Sequence, residues 1–350
     1  MIPAGPEVNH RLNIGIVGFG KMGILHAGIL NALERSKVVA ITESEGLLRR
    51  YAGKLLPGLA FYSSVGEMLA SEDLDAVYVT TPIITHLTII EDIVKSGADV
   101  AIFVEKPLAN TFQDAKRMLD MAETHGLKTM VGFQKRFSPI FEKARQTLLS
   151  GDLGEMTSFS SYSYVTGVLS AGKGWRLKPG QGGALLDLGP HLLDLLLWYF
   201  GEPTNVEGTV RFVHSAEVDD GAEGTLSFGP ALTGTFDVSW SKQGYRLPEI
   251  GIEMTGKNGK LRVTDDYLTF ELYSDGSVMR AGKYHFRKPE FANGVDFLIG
   301  DPEYCTEDKY FIECISKRVA PKPDSRDGLM VNSVIERIRH STRNLRVAQN

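Results

Sequence analysis

The chain has 350 residues, more than one hydrophobic core usually holds, so two domains are expected. Hydrophobic residues make up 43% and charged residues 23%, an ordinary balance for a soluble globular protein. A net charge of −5 with no run of Lys and Arg argues against a nucleic-acid surface, and the longest apolar stretch, LLDLLLWYF (192–200), is too short to span a bilayer and carries Asp194.

The opening MIPAGPEVNH lacks a charged start followed by an apolar core, so a cytoplasmic protein is expected. Short β-rich runs then alternate with helix-like segments. The runs are LNIGIV (12–17), KVVAIT (37–42), DAVYVT (75–80), VAIFVE (100–105) and KTMVGF (128–133). The helical segments lie near 22–34, 44–54, 85–96 and 111–125, the last opened by Asn110 or Thr111. Near-continuous apolar strands between helices predict a parallel sheet covered on both faces.

GFGKMG runs from Gly18 through Phe19, Gly20, Lys21 and Met22 to Gly23 and directly follows the first strand. It matches G-x-G-x-x-G, in which the first glycine makes the turn, the second admits a pyrophosphate and the third lets the helix pack close. In isolation a ligand-free glycine-rich turn would look the same. Glu43 follows Gly23 by twenty residues, where a carboxylate would accept hydrogen bonds from an adenosine ribose. Its neighbour is Ser44 rather than Arg, which favours NAD; Arg49 and Arg50 further along keep NADP open as an alternative. Thr80, Thr81 and Pro82 end another strand and form either a wall beside the dinucleotide or a plain turn. Glu105, Lys106 and Pro107 end the next. A lysine there is a solvated turn residue or a ligand-facing cation, because ligands of open α/β sheets bind at the carboxyl ends of the strands.

After Gly151 the pattern changes to MTSFSSYSYV, NVEGTVRFV, GAEGTLSF, LTGTFDVSW and IGIEMTG, with hairpin signals at KNGK (257–260) and SDGS (274–277). Residues 134–350 therefore read as an α+β domain with a large, open, mainly antiparallel sheet, following a dinucleotide-binding α/β domain over 1–133. Helices on one face would leave the other to be covered, so a homodimer or homotetramer joined through the sheet faces is expected. Cys305 and Cys314 offer neither metal spacing nor a disulfide framework. A late helix near 326–346 packs, on sequence grounds, against either domain.

The stretch GGALLDLGPHLLDLLLWYF (182–200) is expected to be one helix holding Asp187, His191 and Asp194. Positions i, i+4 and i+7 fall within about 60° of one another on a helix. Three polar groups on one face of an apolar helix are costly unless paired or turned to a cleft. Three readings stay open: a satisfied core histidine, a metal site, or acid–base chemistry with His191 as proton acceptor and Asp187 or Asp194 fixing its tautomer.

Taken together these motifs resemble the glucose–fructose oxidoreductase/inositol dehydrogenase family, written Gfo/Idh/MocA, from about residue 12 to about 345. They are GFGKMGILH with His26, then Glu105-Lys106-Pro107, GFQKRF (132–137), Trp175-Arg176 and the GGALLDLGPHLLD helix. Glu43 departs from the family's usual Asp, keeping the charge with a longer reach. The resemblance implies a Rossmann domain, NAD or NADP, and Lys106 beside the nicotinamide, often before a cis-proline. It also implies that Lys106, Asp187 and His191 meet at the domain interface, with Glu105 on the cofactor side and no metal.

The expected reaction is reversible oxidation of a secondary alcohol on a sugar or polyol. His191 takes the hydroxyl proton, Asp187 orients the imidazole, and Lys106 stabilises alkoxide character. Gln134, Arg136, Tyr162, Tyr164, Trp175 and Arg176 are candidate sugar-facing groups, for each of which core packing is an equal alternative. Two rival readings are an NAD-binding regulator without catalysis and a sugar–sugar oxidoreductase that keeps its cofactor bound.

Overall fold

The first unit builds, in chain order, β1 (Leu12–Val17), α1 (Lys21–Ala32), β2 (Ser36–Thr42), α2 (Gly46–Leu55), β3 (Ala60–Tyr62), α3 (Val65–Ser71), β4 (Ala76–Val79), α4 (His86–Ser96), β5 (Ala101–Glu105), α5 (Phe112–His125) and β6 (Thr129–Gly132). These assignments come from a computed structural model that describes residues 10–170, 174–291 and 301–348, the side chains of 343–348 excepted. The strands form one sheet in the order β3-β2-β1-β4-β5-β6, and every pair is parallel. That is the doubly wound dinucleotide-binding order, with its reversal between β1 and β4. β4 and β5 are buried at every position, as a central strand covered on both faces requires. Thr111 opens α5, its hydroxyl accepting the Asp114 N–H at 3.0 Å, and Gly126 closes it in the left-handed conformation. β3 and α3 have no counterpart among the sequence-predicted elements, because AFY is too short to show a strand period.

The second unit contains α6 (Pro139–Leu149), β7 (Met156–Tyr164), α7 (Ala184–Asp187), α8 (Gly189–Phe200), β8 (Asn205–Arg211), β9 (Gly221–Phe228), β10 (Leu232–Ser239), β11 (Glu249–Gly256), β12 (Gly259–Thr264), β13 (Tyr267–Leu272) and β14 (Gly282–Arg287). Its eight strands run in the order β14-β13-β12-β11-β7-β10-β9-β8. All neighbours are antiparallel except β7 and β10. One face carries Phe159, Phe236, Ile252, Met254 and Leu261, all buried, and α8 packs on it, with Phe200 stacked 5.4 Å from Phe159. The other face presents exposed Ser158, Ser160, Thr233, Thr235, Glu253 and Arg262. It is a polar, ion-paired surface (Arg262 to Glu253, 3.0 Å) that water can solvate in a single copy.

Two last helices follow, α9 (Pro302–Ser316) and α10 (Ser325–Ala348). The described residues of Met1–Gln134 and Val295–Leu329 form the first unit, and those of Lys135–Gly294 and Met330–Asn350 the second. The expected second domain, 134–350 with its last helix free to join either, departs from the structure at α9 and the segment that follows it to α10, which lie with the first unit. Three contacts bring that segment back. Asp308 of α9 pairs with His26 of α1, the Val131 N–H donates to Pro323 O at 2.9 Å, and Ser325 Oγ donates to Thr129 Oγ1 at 2.8 Å. From Met330 onward α10 lies on the second unit, where Thr342 Oγ1 accepts the Val210 N–H at 3.0 Å.

Candidate functional site

The glycine loop closes β1. Gly18 sits at φ +98, and a Cβ there would lie 2.7 Å from Thr81 Cγ2. A Cβ on Gly23 would lie 2.0 Å from Gly18 O, whereas one on Gly20 would meet nothing within 4 Å. The first and third glycines are thus fixed by packing and the second faces open space, as a loop admitting a pyrophosphate requires. α1 begins at Lys21 without a side-chain cap, leaving its first N–H groups to an anion. Lys21 is exposed and Met22 half-buried, and Phe19 lies edge-on to Phe61 at 5.8 Å. Thr80 braces the loop, its hydroxyl donating toward Gly18 O at 2.8 Å and Val17 O at 3.1 Å. Pro82 follows Thr81 into a short 3-10 turn.

Glu43 directly follows β2 and is half-buried. Its two oxygens accept the Phe19 N–H at 3.2 Å and the Glu45 N–H at 2.9 Å, so the carboxylate is tied to the glycine loop. Each oxygen keeps a second lone pair with which to accept a ribose hydroxyl. Arg49 turns its guanidinium onto Glu43 O at 2.6 Å. The donor set fits an adenine dinucleotide: a cradle shaped by two obligatory glycines, bare helix N–H groups and an acid beside them.

Lys106 follows β5, half-buried, and its bond to Pro107 is cis. Its N–H donates to Glu105 Oε2 at 3.1 Å, and Glu105 Oε1 lies 3.1 Å from His26 Nε2. Glu105, 8% exposed, is therefore directed inward instead of toward a cofactor. Gln134 is also directed inward, donating from Nε2 to Tyr304 OH at 3.2 Å, which departs from its expected sugar-facing role. His86, which carried no sequence signal, places Nδ1 3.1 Å from Leu108 O and Nε2 3.0 Å from Thr81 O. It ties the loop after β4 to the turn after β5, and its burial lowers its pKa.

In the second unit the expected single helix is two. α7 ends at Asp187 and α8 begins at Gly189, because Pro190 has no N–H to continue the ladder. Asp187 and His191 remain four residues apart across this break, His191 half-buried in the first turn of α8. Asp187 is buried, and Arg176 Nε donates to its Oδ2 at 2.9 Å while the guanidinium stands 5.1 Å over the Trp175 ring. The glycine pair before α7 is sterically required. A Cβ on Gly182 would lie 1.8 Å from Arg176 O, and one on Gly183 (φ +108) 2.1 Å from Asp219 Oδ1. Asp219 caps α7, accepting the Leu185 N–H at 2.8 Å, and burial raises its carboxyl pKa despite that bond.

Asp194 and Arg136 leave the expected site. Arg136 grips Asp194 with Nε at 2.8 Å and Nη2 at 2.6 Å, so its guanidinium is turned to a carboxylate of its own unit instead of the expected sugar. Tyr162 and Tyr164 alternate with Phe159 along β7 and point to the face opposite α8. There they stack 4.6 Å apart and donate to Glu249 (2.5 Å) and Asp237 (2.7 Å), so neither joins Asp187 and His191. Among the described residues no group of three or more His, Cys, Asp or Glu could hold a metal ion, and no helix is long and apolar enough to cross a membrane.

Two family models match the chain, an NAD-binding Rossmann-fold oxidoreductase family over residues 12–133 and the GFO/IDH/MocA C-terminal domain over 141–262. Among curated proteins, D-apiose dehydrogenase of Paraburkholderia graminis is 24% identical over 345 residues, covering 96% of this chain and 89% of that protein. The scyllo-inositol 2-dehydrogenase (NAD(+)) of Bacillus subtilis is 24% identical over 324 residues, covering 90% of this chain and 89% of that protein. A solved levoglucosan dehydrogenase, in complex with NADH and levoglucosan, superposes with a TM-score of 0.84 at 23% identity, covering 95% of this chain and 97% of that one. At that identity the likeness is one of fold.

Proposed function

This chain belongs to the GFO/IDH/MocA family of NAD-binding oxidoreductases, and we propose that it oxidises a secondary hydroxyl of a sugar, polyol or sugar derivative. The observation that carries the reading is the joint placement, in one sheet, of the glycine cradle after β1 and Lys106 after β5, on either side of β4. A dinucleotide laid across the switch point has its pyrophosphate at the cradle and its other half toward β4 and β5. The names of the relatives, dehydrogenases of apiose, inositol and levoglucosan, support a polyhydroxylated substrate.

Gly18, Gly20, Gly23 and the first turn of α1 would hold the pyrophosphate, with Glu43 on the adenosine ribose and Thr80, Thr81 and Pro82 along the remaining wall. The bound nicotinamide supplies a hydride acceptor. Lys106, Asp187 and His191 act on one hydroxyl. His191 accepts its proton as general base while the carbon–hydrogen bond breaks and the hydride leaves for the nicotinamide. Lys106 donates a hydrogen bond to the same oxygen and stabilises its developing negative charge. Asp187 bears on the imidazole electrostatically, with Arg176 fixing its rotamer. Trp175 and Arg176 contribute the sugar-facing surface.

The test is a panel of inositols, D-apiose, levoglucosan, aldoses, deoxysugars and nucleotide sugars offered with NAD and with NADP, followed by reduced-cofactor absorbance. Oxidation of at least one polyhydroxylated member is expected. NADH binding with no turnover on any member would contradict the substrate class. We also propose a homodimer or homotetramer, with the polar sheet face meeting its copy through ion pairs and tyrosines; a strictly monomeric species by light scattering at micromolar concentration would remove this.

A further inference from the structure

The buried contacts of His26 point to a role that the proposed mechanism leaves unassigned. We propose that His26 is a positioning residue for Lys106, an imidazolium clamped between Asp308 and Glu105 that fixes the turn carrying the lysine. This rests on reading Lys106 as the cation at the reacting oxygen.

His26 is fully buried in the second turn of α1, three residues after Gly23. Its Nδ1 lies 2.9 Å from both oxygens of Asp308, and its Nε2 lies 3.1 Å from Glu105 Oε1. An ionised carboxylate offers only lone pairs, so each contact needs a hydrogen between the heavy atoms. A neutral imidazole carries one. Either the ring carries both, or a carboxyl group donates. Equal distances to the two Asp308 oxygens fit an ionised carboxylate sharing one N–H; an acid would donate from a single oxygen.

The surroundings agree. Burial opposes charge on the ring, yet Asp308 and then Glu105 raise the His26 pKa well above the ordinary histidine value. Burial raises the Asp308 pKa as well, with His26 pulling the other way, so the two titrate as a unit. Tyr78, Phe103 and Tyr304 wall the imidazole, with ring centroids 5.4, 5.1 and 6.0 Å away, and Glu303 and Glu307 lie buried on the same helix as Asp308. Glu105 is thus immobilised through Oε1, and its Oε2 accepts the Lys106 N–H at 3.1 Å. α1 carries both the cradle and the clamp, so the lysine is registered to the helix that holds the pyrophosphate.

Two readouts on the ligand-free full chain test the clamp. In protein with nitrogen-15 in its histidines, at about pH 8 and so well above the ordinary value of about 6.5, both His26 ring nitrogens should carry protons. A bare ring nitrogen would overturn the proposal. In His26→Gln, whose side chain cannot donate to both carboxylates, the Lys106 amide should exchange about 10-fold faster with solvent deuterium, the expected effect of loosening one hydrogen bond. The Gly18 and Thr80 amides should be unchanged, and equal exchange at Lys106 would also overturn it. Should His26→Gln not fold, the nitrogen spectrum of the unmodified chain, assigned through Asp308→Asn, decides alone. Lys106→Met separates the two readings. Normal turnover in that variant removes the catalytic role of Lys106 and leaves the clamp's exchange signature in His26→Gln untouched.

Discussion

Arg136 and Asp194 form a bidentate ion pair, Nε to Oδ2 at 2.8 Å and Nη2 to Oδ1 at 2.6 Å, with side-chain exposures of 9% and 1%. Two parallel charge-assisted hydrogen bonds in a dry setting bind the two ions tightly to one another. Removing Arg136 takes from a buried carboxylate the ion that neutralises it, so Arg136→Met should destabilise the protein by about 3–5 kcal/mol. Arg136→Met with Asp194→Leu should recover most of that loss, since an apolar replacement of both ions is often neutral. Denaturant unfolding of the two variants measures it. A loss under 1 kcal/mol in the single variant would show the pair to be well solvated.

Glu43 tests the cofactor assignment. Its carboxylate faces the loop through the Phe19 and Glu45 N–H groups, and the Arg49 guanidinium is turned onto Glu43 O. Glu43→Gln retains an acceptor but drops the charge that repels a 2′-phosphate. NAD affinity should fall a few-fold, and the preference for NAD over NADP should shrink by roughly 10-fold or more, the scale of one removed like-charge contact. Calorimetric titration with both nucleotides measures this. Tighter NADP binding by the unmodified chain would contradict the assignment.

The motifs of this site were legible because they are local. G-x-G-x-x-G, Glu43 and the strand ends need only short-range pattern, and strand–helix alternation carries the parallel sheet. What the sequence hid is partnership over long separations. Nothing near Arg136 in the chain identifies Asp194 as its partner 58 residues on, and nothing near His26 identifies Asp308, 282 residues on. Helical spacing placed Asp187, His191 and Asp194 on one face, but Pro190 divides the helix and Asp194 faces a different group. Period-two alternation, applied to Tyr164, would have set it apart from Phe159 but could not say which face α8 covers. The return of 301–329 to the first unit likewise depends on contacts that no local pattern encodes.

Two histidines contribute opposite limbs to the pH dependence of stability. Burial lowers the His86 pKa, against smaller opposing contributions from the Thr81 and Leu108 carbonyls, so on acidification the unfolded chain takes up this proton first. Its contribution is present above about pH 6.5 and is lost as pH falls toward the lowered folded value. The His26 pKa is raised, with burial the largest influence and opposing the rise that Asp308 and Glu105 produce. That contribution is fully present below about pH 6.5 and is lost as pH rises through the raised folded value. From these two groups the contribution to stability falls away on either side of about pH 6.5, each limb with a slope of at most about 1.4 kcal/mol per pH unit. His86→Gln should flatten the acid limb and His26→Gln the alkaline one in unfolding curves taken across this range. A profile unaffected by either change would show that the histidines titrate alike in the folded and unfolded chains.

The central claim is that Lys106 and His191 carry the chemistry while the glycine cradle carries the cofactor. The most direct measurement is turnover of His191→Ala, with NADH affinity measured on the same preparation and the substrate taken from the panel. Turnover should fall by roughly 100- to 10,000-fold, the usual contribution of a general base, with NADH affinity within twofold of the unmodified chain. Lys106→Met should also lose turnover, and the two losses should fall short of adding if both groups act on one oxygen. Near-normal turnover in folded, NADH-binding His191→Ala would contradict the account, because the proton would then leave by a route that does not involve this helix.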